Sequence, residues 1–215
     1  MITGVLGGLY SSTAASVVIG RRAYGLDRES GRKVSSALIM ATTMMYIRLL
    51  AIIFIFDRGV ALQLLAPFAI IIFISLLTIT GLLTGRNPAS VLHDVSDVKH
   101  PLELSTAIVF ALLFMLFTFL THYVTSNYGS HGLKSLAIIV GFTDIDPFIL
   151  SLLGGKFTVS DSAIVSAIIL ASGSNNLLKA AYAIALARNR SVLFAALWLI
   201  FLFVVSILYA YKYAW

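Results

Sequence analysis

The sequence predicts an all-α, polytopic membrane protein, a bundle of transmembrane helices. Three observations carry that expectation. Of its 215 residues, 60% are hydrophobic and only 11% are charged, whereas a soluble domain carries about 25% charged residues. The apolar residues gather into seven segments, each near the roughly 20 residues that a helix needs to cross about 30 Å of hydrocarbon. The charges gather in the connections between them. The formal charge of +6 therefore belongs to loops that set orientation, and no basic cluster interleaves with aromatics as a nucleic-acid surface would. The absence of cysteine excludes disulfides and thiolate metal sites.

The segments run at about 1–20, 34–56, 60–84, 102–124, 133–153, 162–187 and 191–211. Segment 1 has no basic n-region, so it reads as retained structure and not as a cleaved leader. The loop 21–33 follows, "RRAYGLDRESGRK", and its Arg and Lys residues place it on the cytoplasmic side of a prokaryotic plasma membrane. Between segments 3 and 4, "HDVSDVKHPLE" brings His93, Asp97 and His100 to one face if helical, a candidate metal set. A solvated loop has the same composition. Segment 4 is a connecting helix. His122, Tyr123, Tyr128 and His131 flank the expected loop between segments 4 and 5, as an interfacial belt does.

Segments 1–3 are expected to repeat as segments 5–7, with segment 4 joining them. "SALIMAT" from Ser36 matches "SAIILAS" from Ser166 at an offset of 130, and "GLYSSTA" from Gly8 overlays "GFTDIDP" from Gly141 at an offset of 133. The chain then forms one membrane domain over 1–215. Repeat A covers about 1–86, a linker and connecting helix about 87–130, and repeat B about 131–215. Segments 1 and 5 place Gly, hydroxyls, carboxylates and Pro in their middles, which predicts broken or re-entrant helices. If both cross, the repeats are parallel; if both turn back, they are inverted. The Lys and Arg tally comes out the same either way.

Polar residues inside the apolar segments mark the candidate site. In segment 6, Ser172, Asn175, Asn176 and Lys179 share one helix face, with Ser174 beside it. Segment 2 contributes Thr42, Thr43 and Arg48. Arg48 lies at an offset of 131 from Lys179, so its equivalence is approximate. Asp144 and Asp146 sit in segment 5, and Ser11, Ser12 and Thr13 in segment 1. An unpaired charge at the bilayer centre costs at least about 2.5–3.5 kcal/mol, so the two acids are expected to pair with Arg48 and Lys179. The amides and hydroxyls would satisfy what remains. Pairing that merely pins the repeats together is the plain alternative.

The stretches "GVLGGLYSSTAASVVIGRR", "ALIMATTMMYIRLL", "GFTDIDPFILSL" and "ASGSNNLLKAAYAIALAR" resemble the C-terminal membrane domain of long MgtC/SapB-like proteins, domain of unknown function 4010. The resemblance covers nearly the whole chain. In that family the domain follows an MgtC-like membrane half, which this sequence does not contain. The resemblance implies a membrane location and a link to magnesium limitation, without an established transport activity.

These observations lead to an expected ion transporter or channel. Asp144 and Asp146 would bind a cation or carry protons, and Asn175, Asn176, Ser174 and Ser11–Thr13 would supply neutral oxygens. Arg48 and Lys179 would act as charge partners or gate. No cofactor is expected; a bound cation, magnesium-like in its taste for oxygen, is the one candidate. The lipid bilayer, a second copy in a homodimer and an MgtC-like membrane protein are the expected partners. The rival is a non-transporting regulatory or scaffolding subunit. No acid–base–nucleophile set argues for an enzyme.

Overall fold

The computed structural model describes residues 12–13, 15–21, 28–83, 104–155, 157–187 and 192–212. Among these residues there are seven helices and no strand. Helix α1 is described at residues 12–13 and 15–21. It is followed by α2 (Arg28–Phe56), α3 (Arg58–Leu83), α4 (Leu104–Val140), α5 (Ile145–Gly154), α6 (Asp161–Ala187) and α7 (Leu193–Lys212). Among the described residues, five stretches are long and apolar enough to span a membrane: Gly31–Phe56, Arg58–Leu83, Ala107–Val140, Asp161–Ala187 and Leu193–Lys212. The chain is an integral membrane protein.

Helices α2 and α3 form a hairpin about a single non-helical residue, Asp57. Its N–H still donates to Ile53 O (2.8 Å), closing α2. Its carboxylate accepts from Val60 N–H (3.0 Å), which starts α3. The rings of Tyr46 and Phe68, equally far from Asp57 along the two helices, meet edge to face at 4.9 Å.

Segments 4 and 5 are not separated by a loop. Helix runs from Leu104 to Val140, interrupted only where Gly129 takes φ 58 and ψ −144. The polar run "TSNYGSH" looks like a connection in sequence, yet its residues stay helical on both sides of one glycine. Segment 5 is broken, as its composition predicts. Its first half ends α4, residues 141–144 form a turn, and its second half is the ten-residue α5.

By packing, the chain divides into two units. The first comprises Met1–Ala51, Leu64–Val95 and Asn176–Leu202. Its core joins Ala15 and Ile19 of α1, Ala37, Leu38, Ile39 and Ala41 of α2, Ile79 of α3, Ala183 and Ala187 of α6, and Val192 and Ala195 near the start of α7. The second comprises Ile52–Gln63, Ser96–Asn175 and Phe203–Trp215. In it Phe117 of α4 packs edge to face on Phe148 of α5. Gly173 of α6 lets Ser206 of α7 approach so closely that an added Cβ would lie 2.6 Å from its Cβ, the small-residue contact common between membrane helices. Neither unit coincides with a sequence repeat, because each draws on both. The α2 span Gly31–Phe56, shifted by 130, lands within a residue of Asp161–Ala187. Ser36 and Ser166, matched by that offset, make the same bond, each hydroxyl donating to the carbonyl four residues back, Arg32 O at 3.0 Å and Ser162 O at 2.8 Å.

A side chain at Gly129 would meet no atom within 4 Å, so conformation alone opposes it. Gly129→Ala is expected to destabilise the detergent-solubilised protein by about 1–2 kcal/mol, read as a lower thermal midpoint. An unchanged midpoint would mean that the break relaxes to regular helix.

Candidate functional site

The first polar cluster surrounds the break in segment 5. Helix α4 tightens as it ends: Phe142 N–H donates to Ile139 O (3.2 Å) and Thr143 N–H to Val140 O (2.8 Å). The Thr143 hydroxyl donates to the same Val140 carbonyl at 2.8 Å. Asp144 is the N-cap of α5, extended at φ −83 and ψ 117, with its carboxylate accepting from Asp146 N–H at 3.2 Å. Asp146 and Pro147 occupy the first turn, where an acid is favoured and a missing N–H leaves nothing unpaired. The "DIDP" run is therefore also a helix start. Asp144 is exposed and Asp146 half-buried.

The break lies against α6. Gly141 is buried, and a Cβ there would collide with Ser174 Cβ and sit 2.7 Å from Ala171 O. The side-chain amide of Asn175 donates to Gly141 O (3.2 Å) and Thr143 O (3.4 Å), tying down carbonyls that the turn frees. Ser174 is fully buried, and its hydroxyl has no hydrogen-bond partner among the described residues. Two carboxylates, several carbonyls at a helix C-terminus and a buried hydroxyl thus gather at one turn. Such oxygens suit a hard cation or a proton.

The second cluster lies in the first unit, between α2 and α6. Asn176 Nδ2 donates to the Tyr46 hydroxyl at 2.7 Å, and one turn further on Lys179 Nζ donates to Met45 Sδ at 3.0 Å. Tyr46, Asn176 and Lys179 are all 1% exposed or less. Asn176 Oδ1 is buried with no partner among the described residues. Thr42 and Thr43 beside them spend their hydroxyl protons on Leu38 O and Ile39 O (3.2 and 2.9 Å). A lysine amine and an amide oxygen are thus held within spanning helices.

The stripe on α6 therefore splits. Asn175 and Asn176 are neighbours in sequence, about 100° apart on the helix, and serve different partners. Sequence reasoning missed Tyr46 and Met45. The available signal was the repeat: an offset of 130 from Asn176 lands on Tyr46. Arg48 is half-buried; the residue matched to Lys179 at that offset is Leu49, fully buried. Ser12 is buried, its carbonyl accepting from the Ser16 hydroxyl at 2.8 Å, and Thr13 is half-buried. Ser11, His93, Asp97 and His100 lie outside the described residues.

The family described as "Domain of unknown function (DUF4010)" matches residues 1–187, which include every element of both clusters. The chain belongs to the DUF4010 family. It is also similar to an uncharacterized protein of Aquifex aeolicus (strain VF5), 28% identical over 191 residues that cover 86% of this chain and 80% of that protein. No solved structure matches.

Substitutions in the two clusters of this DUF4010 protein, with Gly81 of α3 as a control, test their packing. Gly141→Ala is expected to cost about 1–3 kcal/mol through overpacking on Ser174. Gly81→Ala, where nothing lies within 4 Å, is expected to be neutral or slightly stabilising. Equal midpoints for the two variants would contradict the close approach. Tyr46→Phe keeps the ring but removes the acceptor for Asn176, with an expected loss of about 1–3 kcal/mol. Restored stability in Tyr46→Phe/Asn176→Leu would identify the orphaned amide as its source.

Proposed function

We propose that this DUF4010 protein moves an ion across a prokaryotic plasma membrane, with loop 21–33 on the cytoplasmic side. The observation that carries the reading is the broken apolar segment lodged on α6. A half-helix end, its freed carbonyls, the Asp144 and Asp146 carboxylates, Ser174 and Asn175 meet at one turn. Secondary transporters build their sites from such discontinuous helices. The ion is a hard cation, magnesium included, or a proton. A homodimer would shield the polar faces from lipid.

The rival reading is a regulatory or scaffolding subunit that partners an MgtC-like membrane protein. The observation favouring it is local: Asp144 and Asp146 already have a structural task in starting α5.

One substitution separates the two. Asn caps a helix about as well as Asp, so Asp144→Asn/Asp146→Asn removes charge while keeping the helix start. Flux of magnesium, other cations and protons is measured in proteoliposomes for both proteins. Transport predicts flux in the wild type and a loss of tenfold or more in a variant that remains monodisperse. Full flux in the folded variant would remove the carboxylates from the path. No flux of any ion in the wild type would overturn transport in favour of the subunit reading.

A further inference from the structure

We infer that residues 130–154 form a re-entrant helical hairpin that dips into the bilayer from the Gly129 side. Its tip holds Asp144 at the end of a water-filled inlet for cations, open on the opposite side. All the groups involved belong to the second unit. The first step is the bend. In a straight helix residues 124 and 132 stand about 12 Å apart along the axis. Here a Cβ on Gly132 would lie 2.6 Å from Val124 Cγ1 and 3.1 Å from the Val124 carbonyl oxygen. The chain therefore folds sharply at Gly129, the residue at φ 58.

The rings of Phe117 and Phe148 fix how far it folds. They meet at 5.9 Å, and Phe148 is in the first turn of α5. Phe117 stands about 18 Å before Gly129 along the helix, and the turn that leads to Phe148 begins about 18 Å beyond it. A right-angled bend would leave those two points about 25 Å apart, so the arm 130–140 runs back along 104–128. Burial then gives the direction of α5. From 107 to 128 the buried residues are Phe117, Thr121 and Thr125, one stripe at i, i+4 and i+8 on the kink's side. Residues 107–112 are exposed. In α5, Phe148, Ile149, Ser151 and Leu152 are buried. Had α5 run on past the turn, it would cover that exposed end of α4; instead it returns along the stripe. Helix α6 agrees. Gly141 sits against Ala171, Ser174 and Asn175, where the α6 residues of this unit end. A crossing segment would set 130–140 beside the residues after Asn175, which this unit does not include.

Length sets the depth. The arm 104–128 covers about 37 Å, enough to span, whereas 130–140 covers about 16 Å, half of a hydrocarbon layer about 30 Å thick. His122, Tyr123, Tyr128 and His131 flank the kink, as polar aromatics do at a membrane surface. The turn at 141–144 therefore lies near mid-bilayer. Helix α5, about 15 Å long, regains the entry surface at Gly154.

At that depth irregular backbone is tolerated only where protein buries it or water reaches it. The carbonyls of Gly141 and Thr143 take the first route, through Asn175. Thr143 and Asp144 are exposed, and a carboxylate facing acyl chains is costly, so the tip faces water. The packed arms close the side from which the hairpin enters, and the inlet opens on the other. A carboxylate at its end, with Asp146 in the turn behind it, concentrates cations. The geometry rests on packing within one unit and not on ion transport, so a protein that carries no flux would keep the inlet.

The chain has no native cysteine, so single cysteines report sidedness to membrane-impermeant thiosulfonates applied to either face of oriented vesicles. The reporters are Asn127→Cys before the kink, Gly154→Cys at the end of α5 and Thr143→Cys at the tip, all at exposed positions. Gly154 has room for the new side chain, with nothing within 4 Å. The hairpin predicts that Asn127→Cys and Gly154→Cys react from the same face. The inlet predicts that Thr143→Cys reacts from the other face. Its rate ratio for a cationic over an anionic reagent is expected about tenfold or more above that of a free thiol in solution, and Asp144→Asn is expected to lower it. Asn127→Cys and Gly154→Cys reacting from opposite faces would overturn the hairpin. Thr143→Cys reacting from the Asn127 face, or from neither, would overturn the inlet. Phe142→Cys, at a position 46% exposed, replaces Thr143→Cys if that variant fails to fold, and the same outcomes apply.

Discussion

Inside hydrocarbon there is no water to satisfy a free peptide group, and that constraint organises the molecule. A continuous helix meets it alone; a helix that stops at depth does not. Where segment 5 breaks, the freed groups find protein partners in turn. Thr143 bonds back to Val140 through both backbone and side chain. Asp144 takes the N–H of Asp146 in the first turn of α5, and Asn175 bridges the carbonyls of Gly141 and Thr143. Glycine at 141 is what allows this contact, since a Cβ would hold the turn away from Asn175. The break needs a polar helix beside it, and a polar helix needs enclosure. Accordingly 83% of the apolar stretch of α6 is buried, against 11% for α4.

The same constraint explains which residues sequence could reveal. The spanning segments follow from apolar length, written directly in composition. The break at Gly129 falls inside the polar run "TSNYGSH", so sequence marked its place but not that one glycine at positive φ makes it without a loop. The "DIDP" stretch is ambiguous at a deeper level. An acid, a second acid and a proline are the signature of a helix start, and they are also charges within an apolar segment. Which reading dominates depends on tertiary surroundings. Tyr46 and Met45 escaped notice because a tyrosine and a methionine among apolar neighbours look like packing residues. Only the partner across the repeat turns them into polar contacts.

Lys179 raises a separate question of energetics. Lys179 is fully buried, and taking its amine out of water costs free energy that its hydrogen bonds must offset. Met45 Sδ, 3.0 Å from that amine, is by itself a weak acceptor. At an offset of 130 from Lys179 the chain holds Leu49, equally buried.

The two adjacent amides of α6 show how little sequence separates scaffold from site. Asn175 spends its N–H donors on backbone carbonyls of the turn. That is a structural duty, because those carbonyls have no water to fall back on. Asn176, one residue on and about 100° around the helix, bonds a side chain and leaves its oxygen buried without a partner among the described residues. Leaving a buried acceptor unmet costs about 1–3 kcal/mol, and a fold with no use for it would remove it with a single substitution to an apolar residue. The unmet oxygen and the buried Lys179 amine lie one turn apart on the same helix. Structural economy explains Asn175 and does not explain Asn176.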